Sequence, residues 1–382
     1  MLKKILLYLV TSTALVSAQS FPTFLSKLTA VNESERPALV ESYLTVSRTY
    51  PIIENDTLVY FIYRGPATSV TIPGDPNHWN GNAFPMIQVP GTDLWYYSKS
   101  FESDARLDYK FAVSGKEWIL DPRNPNKMSG GFGANSELRM PRYLPAPEIL
   151  FYPDIPHGEV RDTTFTSVIL GNSRTVKIYL PPHYESVADS FPVALFHDGL
   201  EYVSLAQTQN VLDYLIARKK IQPLIAVFVP PVNRNPEYAG NQITEFCKFI
   251  SSELFPVLEQ KYRLKRNPKY RATLGASNGG NISLWLGYYY ASQFGNIAAY
   301  SSYVAPPLFS GFQTSARLNL KLYLDIGTYD IPALLPMVRT FYPIVKEKGY
   351  EVKYLEFHEG HSWGNWRAHI DDALEFFFPP IQ

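Results

Sequence analysis

One pentapeptide in this chain has the residue types for nucleophilic catalysis: Gly275-Ala276-Ser277-Asn278-Gly279, with Gly280 directly after. It has the form G-x-S-x-G, the pattern of a nucleophile elbow. Tyr270 to Leu274 suits a short buried strand, and Asn281 to Tyr289 suits a helix. A serine on so tight a turn sits in strained backbone. Side chains at the flanking positions would collide with the neighbouring strand and helix, so glycine is needed there. The turn pushes the Ser277 hydroxyl out above the sheet and aims the Asn278 amide at a developing oxyanion.

A hydroxyl is a poor nucleophile until a base takes its proton. With an elbow of this type the partners follow in the order serine, acid, histidine. The histidines beyond Ser277 are His358, His361 and His369. His361, in Glu359-Gly360-His361-Ser362-Trp363, falls in a loop right after a strand and is the expected base. His358, on or beside that strand, is the second choice. The acid is expected from Lys321-Leu322-Tyr323-Leu324-Asp325-Ile326-Gly327-Thr328-Tyr329-Asp330. Asp330 lies in the turn beyond the strand, where it can reach an imidazole, whereas Asp325 lies within the strand and reads as structural. A second oxyanion amide is expected after the strand Phe191 to Phe196, at Gly199 to within one residue. His197 and Asp198 beside it invite a metal reading, but one such pair without a third ligand does not make a site. No metal or cofactor is expected.

The elements that must hold these groups alternate. Glu159 to Ser167, Ser173 to Leu180 and Phe191 to Phe196 read as strands. After them come a helix over 203–220, a strand over 224–229 and a helix over 243–262. The elbow strand follows, then a strand over 321–326, a helix over 334–348, a strand over 352–357 and a closing helix over 366–377. That is the pattern of a parallel sheet covered by helices on both faces, an α/β fold. Ahead of it the period is two. Short strands at 58–63, 69–73, 93–98 and 107–113, with turn signals between them, indicate a small β-sandwich over residues 51–142. Residues 19–50 read as a helical segment, and the proline-rich stretch 143–158 as an extended linker.

Composition narrows the function classes. The chain has 382 residues, enough for two domains, with 35 basic against 35 acidic side chains. Zero net charge gives no support for nucleic-acid or anionic-membrane binding. Cys247 is the only cysteine. It permits neither an internal disulfide nor a cysteine metal site, and reads as a buried thiol. At the start, Lys3-Lys4, the apolar run Ile5 to Val16 and the small residues Val16-Ser17-Ala18 make a cleavable leader over residues 1–18. The expected location is periplasmic or secreted.

Two resemblances follow from quoted motifs. Gly74-Asp75-Pro76-Asn77-His78-Trp79, then Tyr109-Lys110-Phe111, then Trp118-Ile119-Leu120-Asp121-Pro122, looks like the glycogen-binding type (family 48) early-set sandwich, an immunoglobulin-like fold. The resemblance implies glycan contact through Trp79, Lys110 and Trp118, with Asn135 alongside. Packing of the two indoles is the competing reading. The second resemblance covers residues 160–382, on Phe196-His197-Asp198-Gly199, Asn235-Pro236-Glu237-Tyr238, Gly275 to Gly280, Gly327-Thr328-Tyr329-Asp330 and Gly360 to Arg367. These resemble the esterase-D/enterochelin-esterase family of α/β-hydrolases, which includes feruloyl and acetyl-xylan esterases of carbohydrate esterase family 1. In that family a carboxylate usually follows the base histidine; here Ser362 stands there, which bears on the hydrogen bonding of the loop.

The resemblance implies an α/β-hydrolase domain preceded by an early-set β-sandwich, and a serine esterase with the triad Ser277, Asp330 and His361. Arg234, Trp363 and Arg367 are candidates to meet the substrate. That substrate is either a siderophore lactone or an acyl or feruloyl ester on a polysaccharide, and either water or a sugar hydroxyl accepts the acyl group. A reading from another class is a glycan-binding protein with an inactive hydrolase domain. Neither nucleic acid nor membrane is an expected partner.

Overall fold

The computed structural model describes residues 19–46 and 49–380. The leader expected over residues 1–18 lies outside the described residues. Two helices come first, Phe21–Ala30 and Arg36–Thr45, each with proline in its first turn, where no intrahelical hydrogen bond is lost. Phe21, Phe24 and Leu28 share one face and are buried with Tyr43 and Leu44 against Tyr60, Ile62 and Leu94. The strand beneath them, Leu58–Arg64, belongs to an antiparallel four-stranded sheet. Its opposite face sends Val59 and Phe61 into a second cluster with Val70, Leu107, Tyr109 and Phe111. A strand covered on both sides needs apolar residues at successive positions, so Leu58 to Tyr63 does not alternate with polar ones.

A three-stranded sheet of Val70–Thr71, Phe111–Val113 and Glu117–Ile119 closes the small sandwich. The single strand expected over 107–113 is in fact two. It breaks at Lys110, whose amide donates to the Pro73 carbonyl at 2.9 Å. Phe111–Val113 stays in the sandwich, while Arg106–Tyr109 joins the large sheet of the second domain. The stretch 143–158 has no regular structure beyond a short turn at Pro147–Ile149.

The large sheet has eleven strands. Six neighbours are parallel, in the order Ile225–Val229, Val193–His197, Arg271–Ala276, Asn296–Tyr300, Lys321–Tyr329 and Glu351–Gly360. Beyond one edge, Asn172–Leu180 and Glu159–Ser167 run antiparallel. The expected parallel sheet is therefore mixed. Residues 168–171 are too short a link for a crossover and can only close a hairpin. Beyond the other edge lie Arg106–Tyr109, Gly133–Arg139 and Lys127–Gly130 from the N-terminal part, joined through one residue pair, Glu359 with Arg106. Side chains alternate between two cores: Val193, Leu195, Leu322 and Leu324 on one face, Ala194, Phe196 and Tyr323 on the other.

Three expected helices are segmented. In place of one helix over 203–220 there are two, Gly199–Ser204, which starts earlier, and Thr208–Ala217. The helix over 243–262 passes through a π turn, Phe249–Leu254, just ahead of Pro256, which has no N–H to give. The closing helix breaks at His369 into Trp363–Ala368 and Ile370–Phe377. His369 stacks on Phe357 with centroids 3.5 Å apart, and its Nε2 lies 2.9 Å from Glu359 Oε1. Burial disfavours its charge, but the carboxylates of Asp372 and Glu359 outweigh that and hold its pKa up at about 10, from 6.5.

A group whose folded pKa is raised stabilises fully below its unfolded pKa and loses that contribution as pH climbs through the folded value. His369→Asn is expected to lower the melting temperature at pH 7 by about 5 °C. The wild type should lose stability between pH 6.5 and about 10 more steeply than the variant, measured by calorimetry across that window.

Candidate active site

Ser277 stands between the strand Arg271–Ala276 and the helix Asn278–Tyr289 at φ 59°, ψ −122°. That is left-handed territory costly for a residue with a Cβ, and the surrounding turn holds it there. The Ser277 amide donates to the Tyr300 carbonyl at 2.9 Å, and its own carbonyl accepts from Gly280 and Asn281 as the helix begins. A Cβ on Gly275 would overlap the Gly279 carbonyl, so the strand meets the helix only as glycine.

The positions of the expected acid and base follow from sheet register, which shifts by one residue between Gly327 and Tyr329. Lys321–Tyr329 and Glu351–Gly360 are parallel neighbours, with Tyr329 opposite Gly360. The next residue on each strand is Asp330 and His361, so the carboxylate and imidazole emerge side by side. His361 Nδ1 lies 2.8 Å from Asp330 Oδ1, and His361 Nε2 lies 3.0 Å from Ser277 Oγ. Asp330 is 2% exposed, and the Ile331 amide donates to the same Oδ1 at 2.7 Å. Trp366 sets its ring edge-on to His361 at 4.9 Å. With Asp330 on Nδ1–H, the Nε2 lone pair faces the Ser277 hydroxyl, the tautomer a general base needs.

The other carboxylate and imidazoles are engaged elsewhere. Asp325 is buried, accepts from the Ser301 amide and the Tyr323 hydroxyl, and is pushed up to about 7 by burial. His358 pairs with Asp104 at 2.7 Å on the surface. His197 is buried against the Thr273 hydroxyl at 2.8 Å, and burial drops its pKa to about 3, so it is neutral. Among the described residues no cluster of three His, Cys, Asp or Glu side chains could hold a metal ion.

Gly199 and Asn278 are each the first residue of a helix, where an N–H has no intrahelical acceptor. Their strands, Val193–His197 and Arg271–Ala276, are parallel neighbours with Phe196 opposite Leu274, so both helices start at the same end of the strands. A Cβ on Gly199 would overlap the Phe228–Val229 peptide, which explains the glycine there.

The substrate candidates divide. Arg234 forks onto Asp198 at 2.7 and 2.8 Å, beside the elbow, and lies over the Tyr238 ring. Its charge is therefore already matched. Trp363 was expected to meet the substrate, but it packs edge-on to Tyr202 and Trp366 and is 8% exposed; it is a core residue. Arg367 is half-buried, and burial together with the nearby Arg106 guanidinium lowers its pKa. In the N-terminal part, Trp79 and Trp118 stack with centroids 6.3 Å apart at 16°, and Trp118 is 47% exposed. Lys110 is half-buried nearby in sequence, and Asn135 is committed to Asp108 at 3.1 Å. Cys247 is buried, and burial pushes its thiol up.

Sequence reasoning missed the groups around His361. Asp75 is buried against Gly360, and Arg106 is buried with its guanidinium on Ser362, the residue after His361. The signal was available in Arg106-Leu107-Asp108-Tyr109, a strand that puts opposite charges on one face.

The sequence model of the Esterase family matches residues 167–377. The chain belongs to the Esterase family. The esterase is 22% identical over 343 residues to the iron(III) enterobactin esterase of Escherichia coli O6:H1, across 80% of this chain and 84% of the relative. Its fold is similar to that of the enterobactin esterase of Shigella flexneri, with TM-score 0.74 at 21% identity over 88% of this chain and 97% of that one. It is also similar, at TM-score 0.52 and 15% identity, to a ferulic acid esterase of Anaeromyces mucronatus, over 62% of this chain and 96% of the other. The protein is thus a carboxylic ester hydrolase with an α/β-hydrolase domain behind a small β-sandwich, and the non-enzymatic reading is set aside.

Asp330→Asn is expected to cut kcat on p-nitrophenyl acetate by about 10³–10⁴ while the fold persists, because the wrong imidazole tautomer would face Ser277. Asp325→Asn should keep kcat within about threefold. Circular dichroism and steady-state kinetics on both variants check this.

Proposed function

We propose that the esterase is an exported serine hydrolase of the enterobactin-esterase kind, working through an acyl-enzyme. The observation that carries the proposal is the hydrogen-bonded chain Ser277 Oγ, His361 Nε2, His361 Nδ1, Asp330 Oδ1, at 3.0 and 2.8 Å. His361 takes the Ser277 proton as Oγ adds to the ester carbonyl carbon. The carbonyl electrons move onto oxygen, which the Gly199 and Asn278 amides stabilise. Collapse expels the alcohol, which takes the proton back from His361. A water then attacks the acyl-enzyme with His361 again as base and restores Ser277. Asp330 holds the imidazole and steadies its cationic form without taking the proton.

The substrate reading rests on extent. Likeness to enterobactin esterases runs through both domains, whereas that to the ferulic acid esterase stops at 62% of the chain. A siderophore ester is therefore favoured over a polysaccharide ester. Export is supported by the leader pattern Lys3-Lys4, Ile5 to Val16 and Ala18. The half-open indole pair Trp79 and Trp118 favours a second reading, a feruloyl or acetyl polysaccharide esterase that grips glycan with its sandwich. Each stacked sugar face would add roughly 1 kcal/mol.

The deciding experiment is a panel of p-nitrophenyl acetate, methyl ferulate, acetylated xylan and ferric enterobactin, run with wild type and Ser277→Ala. The expected outcome is turnover of ferric enterobactin, lost in Ser277→Ala; an unchanged rate in that variant sinks the triad. Turnover of xylan esters instead, with retention on insoluble xylan lost in Trp118→Ala at constant melting temperature, selects the second reading.

A further inference from the structure

The loop between the sandwich strand Leu94–Ser100 and Arg106–Tyr109, which extends the large sheet from the N-terminal part, reaches the open ends of the two strands that deliver Asp330 and His361. Tyr329, just before Asp330, donates its hydroxyl to Glu102 at 2.6 Å and packs on Phe101. His358, three residues before the base, pairs with Asp104. Arg106 pairs through its backbone with Glu359 and is fully buried.

The guanidinium of Arg106 is the centre of this contact. Nε donates to Glu137 Oε1 at 2.5 Å and Nη2 to Asp108 Oδ1 at 2.6 Å, both on the sandwich side. Nη1 crosses to the hydrolase domain and donates to Ser362 Oγ at 2.9 Å. Two carboxylates thus fix the fork from behind, and its free edge holds the residue next to His361. The fit is close: a Cβ on Gly364 would overlap the guanidinium carbon, and a Cβ on Gly360 would overlap the Asp75 carboxylate. Asp75 is itself pinned by donors from Trp79 Nε1 at 3.0 Å and the Asp108 amide at 2.8 Å. Sandwich side chains therefore clamp the base loop on both sides of His361.

We infer that Arg106 is a positioning residue for the reaction: through Ser362 it fixes the His361 loop, so the N-terminal sandwich holds the base in line with Ser277. This rests on the triad reading above. A hydrogen bond at 3.0 Å tolerates little drift, and misplacing a reacting group by about 1 Å costs on the order of 10²-fold in rate. The loop's other hydrogen bonds, from Asn365 Nδ2 and the Ser362 amide to the Gly360 carbonyl and from the Trp366 amide to the Ser362 carbonyl, lie within the loop itself; Arg106 Nη1 is what ties Ser362 to the N-terminal part.

Removing Arg106 would strand Asp108 and Glu137 in the interface, so its loss threatens the fold itself. Ser362→Ala is the cleaner probe, because it deletes only the acceptor and leaves every charge in place. It is expected to lower kcat on p-nitrophenyl acetate about tenfold to a hundredfold with KM and melting temperature nearly unchanged. The acidic limb of the kcat–pH profile should move to lower pH as Asp330 steadies the imidazolium less well. The low-field proton resonance of His361 Nδ1–H should broaden. Ser362→Asp, which offers the same Nη1 a carboxylate, should recover most of the lost rate. Full kcat, an unshifted profile and an intact resonance in Ser362→Ala would reduce Arg106 to a purely structural ion pair. The triad reading fails separately, by activity surviving Ser277→Ala.

Discussion

The pairing of Tyr329 with Gly360 is the constraint on which the site depends. Side chains cannot choose their neighbours freely; the paired strands do it for them, here through a one-residue register shift between Gly327 and Tyr329 that brings Asp330 level with His361. Because the two strands end in step, a carboxylate and an imidazole leave the sheet together, and the hydrogen bond between them needs no loop search. The same logic works across the sheet. Phe196 opposite Leu274 brings Gly199 and Asn278 to the same end of their strands, each starting a helix with its amide unspent. The strained φ of Ser277 is the local cost of pointing one hydroxyl into that assembly, and it is offset by a densely buried sheet on either side.

Coupling between the domains is of a different physical kind. Apolar contacts cross between the domains too, Met128 with Trp363 and Trp366 and Tyr329 with Phe101, but next to His361 the contact is polar and buried, with Arg106, Asp108, Glu137 and Glu359 all within a few per cent of full burial. Such charges repay their desolvation only when geometry is good, and what they supply is orientation more than stability. That suits a place where the position of His361 matters.

Much of this was legible in the sequence, for identifiable reasons. The elbow announces itself because glycine is the only residue that fits at Gly275. Asp330 could be preferred to Asp325 because a residue past a strand end can reach a neighbour that one inside the strand cannot. Other features were not legible. Asn296–Tyr300 has small residues and no periodicity to mark it as a strand. The break at Lys110 depends on a carbonyl supplied by Pro73, and Trp363 faces the core because Tyr202 is there to receive it. The partner of Ser362 lies 256 residues earlier, a distance no local pattern spans.

The central claim is that Ser277 becomes covalently acylated because His361 and Asp330 activate it. Its most direct test is intact-protein mass spectrometry after exposure to a fluorophosphonate, followed by peptide mapping. The account predicts one adduct, on the peptide carrying Ser277, formed far more slowly in His361→Ala. No adduct, an adduct on another residue, or an equal labelling rate without His361 would contradict it.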